Sequence, residues 1–174
     1  QTTGLSRLGS LIDAFAPADG APPQKLWSFF RWALAGSWKM LWLAAVMSAI
    51  AGMMEVVSAL ILGRVIDAAL AGDPAAYFSA NAALLIACLV FYLVLRPLAF
   101  GGSSATNSII IGSNVLPLVL SRLHRWTLGQ AVTFFDNDFA GRLATKQMQS
   151  ARAITDVVTE IINTGFFALA SVVA

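Results

Sequence analysis

The sequence predicts an all-α protein that crosses a membrane several times on helices that run well beyond the lipid. Three observations carry this prediction. Of its 174 residues, 58% are hydrophobic and only 11% are charged, whereas about a quarter of the residues in a soluble domain carry charge. Long stretches combine helical periodicity with an almost complete absence of charge. The eleven Lys and Arg lie mainly around the ends of those stretches, without a basic run or interleaved aromatics, so the net charge of +2 does not point to nucleic acid.

Residues 1–36 read as a lead-in on the cytoplasmic side. They hold no apolar segment with a small-residue cleavage site, which excludes a secretory signal. Pro17, Gly20, Pro22 and Pro23 interrupt the chain, and Leu26, Phe29, Phe30, Ala33 and Leu34 then recur at helical spacing beside Lys25 and Arg31. This pattern predicts an elbow-like helix on the inner leaflet, with Trp27 and Trp32 at headgroup level. The same pattern also suits an amphipathic helix packed on protein.

Residues 37–174 make up the membrane part. From Met40 to Gly63 the one charge is Glu55, and a helix over that stretch extends roughly 36 Å at ~1.5 Å per residue, enough for a hydrocarbon core of about 30 Å. The second stretch, Pro74 to Ser121, contains Arg96 as its one charge. Its helical pattern continues to about Phe135, punctuated by Pro97, Gly101, Gly102, Gly112 and Pro117, which are expected to kink it rather than end it. Near its end Leu120, Leu123, Trp126 and Thr127 share one face, while Ser121, Arg122 and Arg125 share the other, as in a helix that has left the lipid. A third apolar run, Ile161 to Ala174, follows an amphipathic segment with Leu143, Ala151, Ile154, Val157, Val158 and Ile161 on its apolar face.

Orientation follows from charge. Arg7, Lys25, Arg31 and Lys39 precede the first span, and Arg122, Arg125, Arg142, Lys146 and Arg152 follow the second, whereas the connection between the spans holds Arg64 at its edge and otherwise Asp67 and Asp73. The positive-inside bias therefore places the N-terminus and residues 120–155 in the cytoplasm. Phe134, Phe135, Asp136, Asn137, Asp138, Phe139 and Gly141 then form the tip of a cytoplasmic helical hairpin. The Ala-rich composition points to a bacterial inner membrane, and the start at Gln1 together with the end inside an apolar run points to a piece of a longer protein.

Chemistry-bearing residues are few. Cys88 stands alone in an apolar run and is expected to act as a small buried hydrophobe. His124 has no Cys or carboxylate at ligand spacing, so no metal site is expected. No nucleophile, base and orienting group occur together. Glu55, Arg96 and Asn107 are the candidate pathway residues, because polar groups at membrane depth are expensive and should face a cavity, a partner or an interface. Glu55 and Arg96 are placed either to pair with each other or for Arg96 to snorkel outward. Ser103, Ser104, Thr106, Asn107 and Ser108 suit close helix packing or a water-lined space.

The hairpin tip also carries a resemblance. Phe134-Phe135-Asp136, four residues, Gly141, one residue, Leu143, two residues, Lys146 and later Ile154 is similar to the first cytoplasmic-loop motif of ATP-binding-cassette exporters. Leu62-Gly63-Arg64-Val65-Ile66-Asp67 is similar to the Leu-x-Gly-x-x-Ile-Asp that closes the first span in that family. The sequence departs from the pattern at Lys146, usually Arg, and at Ser150, usually Asp, so the ion pair that the pattern implies at the tip lacks its acid. No Gly-x4-Gly-Lys-Ser/Thr phosphate loop is present.

The resemblance implies the start of a six-span exporter membrane domain: spans 1 and 2, the first hairpin with its coupling helix, and the start of span 3. It implies that Phe134 to Ala140 docks on a nucleotide-binding domain, that Gly141 permits the chain reversal, and that the full-length protein uses ATP and Mg, with no cofactor in this stretch. A second transporter half, in a homodimer, and a small amphipathic substrate are the other partners implied, besides the lipid bilayer. The residues also allow a membrane-anchored signalling or scaffold protein whose hairpin grips a partner.

Overall fold

The computed structural model describes residues 12–18, 20–72, 76–130 and 140–173. Among them every regular element is helical and there is no strand. Helix α1 spans Leu26–Ala33, α2 Trp38–Ala71, and the short α3 Tyr77–Ala80. Helix α4 comprises Ala82–Val90, a π-helical turn at Phe91–Leu95, Arg96–Ala105, a second π-helical turn at Thr106–Gly112, and Ser113–Leu128. Helix α5 comprises Ala140–Glu160, a π-helical turn at Ile161–Phe166, and Phe167–Val173. Three of these helices are long and apolar enough to cross a membrane, at Trp38–Ala71, Ala82–Leu128 and Gly141–Val173.

The expected boundaries shift in two places. Helix α2 runs past Asp67 because Ala68-Ala69-Leu70-Ala71 are good helix formers, and it stops before Gly72. Helix α4 ends at Leu128, short of the predicted Phe135, because Gly129 carries the entropic penalty of glycine in a helix. Its N–H closes the last turn on the carbonyls of Arg125 and Trp126. The expected breakers inside α4 do not end it. The first π turn ends at Leu95, two residues before Pro97, whose missing N–H removes a donor from the α ladder. At the second, Ser113 Oγ donates to the Ser108 carbonyl at 3.1 Å and Asn114 Nδ2 to the Ile109 carbonyl at 3.3 Å, satisfying acceptors five residues back.

The chain divides into two compact units, Gln1–Ala44 with Ala105–Ile161 and Ala45–Ser104 with Ile162–Ala174. In the first, Ile111, Val115, Leu118 and Val119 of α4 are almost fully buried, together with Ala33, Leu34 and Ala44. The α5 stripe of Ala151, Ile154 and Val158 is buried as its periodicity predicts, but Val157 is 44% and Ile161 52% exposed. Gln147 Nε2 donates to Thr127 Oγ1, whose own hydroxyl donates to the Leu123 carbonyl at 2.9 Å, so α5 and the end of α4 are tied by a polar contact. Gly36 has φ +85°, a left-handed conformation that glycine adopts without strain, and it turns the chain from α1 into α2.

Arg122 corrects the polar-face assignment made from sequence. It is only 3% exposed. Its guanidinium donates to the carbonyls of Ala16 at 3.1 Å, Trp32 at 2.9 Å, Ala33 at 2.8 Å and Ala35 at 2.7 Å. Two of these acceptors, Trp32 and Ala33, lie at the C-terminal end of α1, and Ala35 lies just beyond it, where carbonyls lack intrahelical donors and a cation is favoured. Beside it, Ser121 Oγ donates to the Ala14 carbonyl at 2.9 Å. One turn of α4 therefore holds both the lead-in and α1.

Candidate functional site in the spans and the hairpin

Two groups of residues single themselves out, one in each unit. In the second unit, α2 contributes Glu55 and Ser58, three residues apart and therefore on one helical face. From α4 come Tyr92, Arg96 and Phe100, a series with spacing of four. Arg96 Nη2 donates to Glu55 Oε1 at 2.7 Å, so the pairing alternative holds. The Arg96 guanidinium carbon also lies 5.4 Å from the centroid of the Phe100 ring, within reach of a cation–π attraction. Phe100 in turn meets Phe167 of α5 edge to face at 6.4 Å. Tyr92 donates its hydroxyl to the Ser58 carbonyl at 3.0 Å.

This cluster is not saturated. Arg96 Nε and Ser58 Oγ are buried without a hydrogen-bond partner among the described residues. Unmet buried donors are costly, which makes them candidates to receive an incoming acceptor. The ion-paired side chains are 38% and 40% exposed, so their attraction is partly screened and the pair is open to approach from one side. Tyr92 and Ser58 are the residues that sequence reading missed. Their signal is faint, because a Tyr and a Ser within apolar helices are ordinary packing residues.

Close helix contact frames the cluster. A Cβ on Gly52 of α2 would collide with the backbone carbonyl of Phe167, and Ser171 Oγ donates to the Gly52 carbonyl at 3.2 Å. Ser48 and Ser103 hydroxyls lie 3.4 Å apart. Small residues thus let the backbones of this unit approach, as membrane helices require in the absence of a hydrophobic drive.

Asn107 lies in the first unit, within the second π turn, and its Oδ1 is buried without a partner among the described residues. Among the tip residues, Phe134, Phe135, Asp136, Asn137, Asp138 and Phe139 lie outside the described residues. Gly141 is described and differs from expectation. It sits inside Ala140–Glu160 without a positive φ, so its left-handed freedom is unused, and a Cβ there would meet open space. Its bare, exposed backbone leaves room for close approach from outside. His124 is exposed, Cys88 is half-buried, and no group of three or more metal-ligating side chains occurs among the described residues.

Residues 41–174 match the model of the family described as ABC transporter transmembrane region. The chain is similar to an uncharacterized ABC transporter ATP-binding protein of Haemophilus influenzae, 29% identical over 143 residues. That match covers 82% of this chain and 23% of the relative, so the chain spans about a quarter of the curated protein it matches. No solved structure matches.

Proposed function

The chain belongs to the ABC transporter transmembrane region family, and from that premise we propose that it begins the membrane domain of an ATP-driven exporter of small amphipathic compounds. As the transmembrane part of an ABC transporter it works in a lipid bilayer and with a nucleotide-binding domain. In the proposed arrangement its N-terminus is cytoplasmic, the membrane is a bacterial inner membrane, and a second, identical half completes the pathway. ATP and Mg act at the nucleotide-binding domain.

The observation that carries the export reading is the length of the hairpin arms. Helix α4 covers 47 residues, a contour of roughly 70 Å at ~1.5 Å per residue, against a hydrocarbon core of about 30 Å. The surplus supports a pair of arms that carries the Phe-Phe-Asp tip out of the lipid. The Gln147 to Thr127 hydrogen bond braces those arms against each other. In this reading Phe134, Phe135 and Phe139 are apolar anchors in a groove of the nucleotide-binding domain, a role aromatics commonly fill. Asp136, Asn137 and Asp138 cap or accept hydrogen bonds, and the side-chain-free Gly141 admits the partner's surface. Closure of the nucleotide-binding domains then moves α4 and α5 as levers on the pathway, where Glu55, Arg96 and Asn107 offer polar contacts to the cargo.

Replacing Phe135 and Phe139 by Ala in the full-length transporter tests this directly. Each truncation is expected to weaken docking by about 2 kcal/mol, leaving basal ATP turnover but removing its stimulation by substrate. Full stimulation in a correctly folded double variant would refute the coupling role.

A further inference from the structure

Between the lead-in and the end of α4 lies a partly open cleft of about 170 Å³, lined by Trp32, Arg122, Arg125 and Trp126 together with Pro17, Ala18 and Gly20. We propose that this cleft is a binding site for the phosphate-bearing headgroup of an anionic phospholipid.

Charge is the first argument. Arg122 and Arg125 both line the cleft, and neither forms an ion pair with a described carboxylate. The four carbonyls that hold Arg122 satisfy its donors without full negative charge, and Asp13 is the one described carboxylate whose charge acts on it, from beyond ion-pair distance, so the two arginines leave the described lining with a net positive charge. Arg125 is exposed and makes no side-chain hydrogen bond among the described residues, so its guanidinium is free to meet a phosphate in the two-pronged geometry that suits it. Asp13, on the lead-in, is exposed and accepts a hydrogen bond from the Phe15 N–H at 2.9 Å. Asp19, beside Gly20 in sequence, lies outside the described residues.

Position and size are the second argument. Trp32 and Trp126 are the two aromatic walls, and tryptophan favours the level of lipid headgroups. Helix α1, read as an elbow on the inner leaflet, is fastened to this turn of α4 through Arg122, and basic pockets beside such interfacial elements take anionic headgroups. Its volume is below the roughly 300–1,000 Å³ of sites for drug-sized ligands, so it fits a headgroup rather than a whole amphipathic cargo molecule. The site is distinct from the Glu55 and Arg96 cluster and does not depend on the direction of transport.

The test is a native mass spectrometry titration of the full-length transporter in detergent, with dioleoyl-phosphatidylglycerol against dioleoyl-phosphatidylcholine. The wild type is expected to retain phosphatidylglycerol at least about five-fold more tightly, the factor that one interfacial arginine contributes. Arg125→Gln, which removes no hydrogen bond among the described residues, should abolish this preference, while the control Arg152→Gln on α5 should keep it. Equal retention of the two lipids by the wild type overturns the proposal, and so does an unchanged preference in Arg125→Gln. Displacement of bound phosphatidylglycerol by millimolar inorganic phosphate would reassign the cleft to a soluble anion and overturn the lipid assignment.

Discussion

Arg96 is held by two different attractions, a carboxylate at 2.7 Å and an aromatic face at 5.4 Å, and both come from residues that would otherwise be poorly matched to lipid. An unpaired charge at membrane depth costs roughly 2.5–3.5 kcal/mol on insertion scales, so either partner alone is a liability. Glu55→Gln and Arg96→Gln are each expected to lower stability by about 1 kcal/mol, a figure reduced for the partial exposure of the pair, while the double variant recovers much of the loss. Thermal unfolding of the three variants in detergent gives the coupling energy. Strict additivity would show that the pair contributes nothing. The two charges were legible as anomalies in apolar runs, but their meeting only as one of two alternatives, because the choice depends on the register between α2 and α4. Arg122 was misread for a related reason: a charged residue in an amphipathic helix counts as polar face, and no pattern shows that four backbone carbonyls await it.

At the scale of elements, hydropathy and periodicity located the spans but not their internal winding. The π turns at Phe91–Leu95 and Thr106–Gly112 break the i to i+4 ladder, yet the disturbances that the sequence marks, Pro97, Gly101, Gly102, Gly112 and Pro117, fall inside a π turn only at Gly112. Glycines divide into those that a helix pair needs and those it does not. Gly52→Ala drives a methyl group into the Phe167 carbonyl and should cost about 1–3 kcal/mol. Gly63→Ala meets nothing within 4 Å and should stabilise α2 by up to about 1 kcal/mol. Unfolding midpoints that move in the same direction for the pair would contradict the α2 to α5 contact. The hairpin brace offers a second test. Thr127→Val keeps the shape but removes the acceptor of Gln147, at a cost of about 1–3 kcal/mol. Amide exchange should accelerate around residues 123–128 and 143–150, and unchanged protection would show the brace to be dispensable.

For the molecule as a whole, the asymmetric placement of cations makes a prediction about sidedness. In a Cys88→Ser background, single cysteines at Gln24 and Ser150 should react with an impermeant thiol reagent only from the cytoplasmic side, and one at Ala76 only from the opposite side. Labelling of Gln24 and Ser150 from opposite sides would overturn the topology. The membrane class was legible because composition is a global property. The packing of the N-terminal segment was not, because its partners are remote in the chain. Arg122 lies 87 to 106 residues beyond the carbonyls it binds, and Ser121 lies 107 beyond Ala14. At a synthesis rate of roughly 5–20 residues per second, residues 14–35 leave the ribosome on the order of 4 to 21 s before the side chains that fasten them. That segment is thus made well before it is secured, and during that interval α1 depends on lipid or chaperone for company.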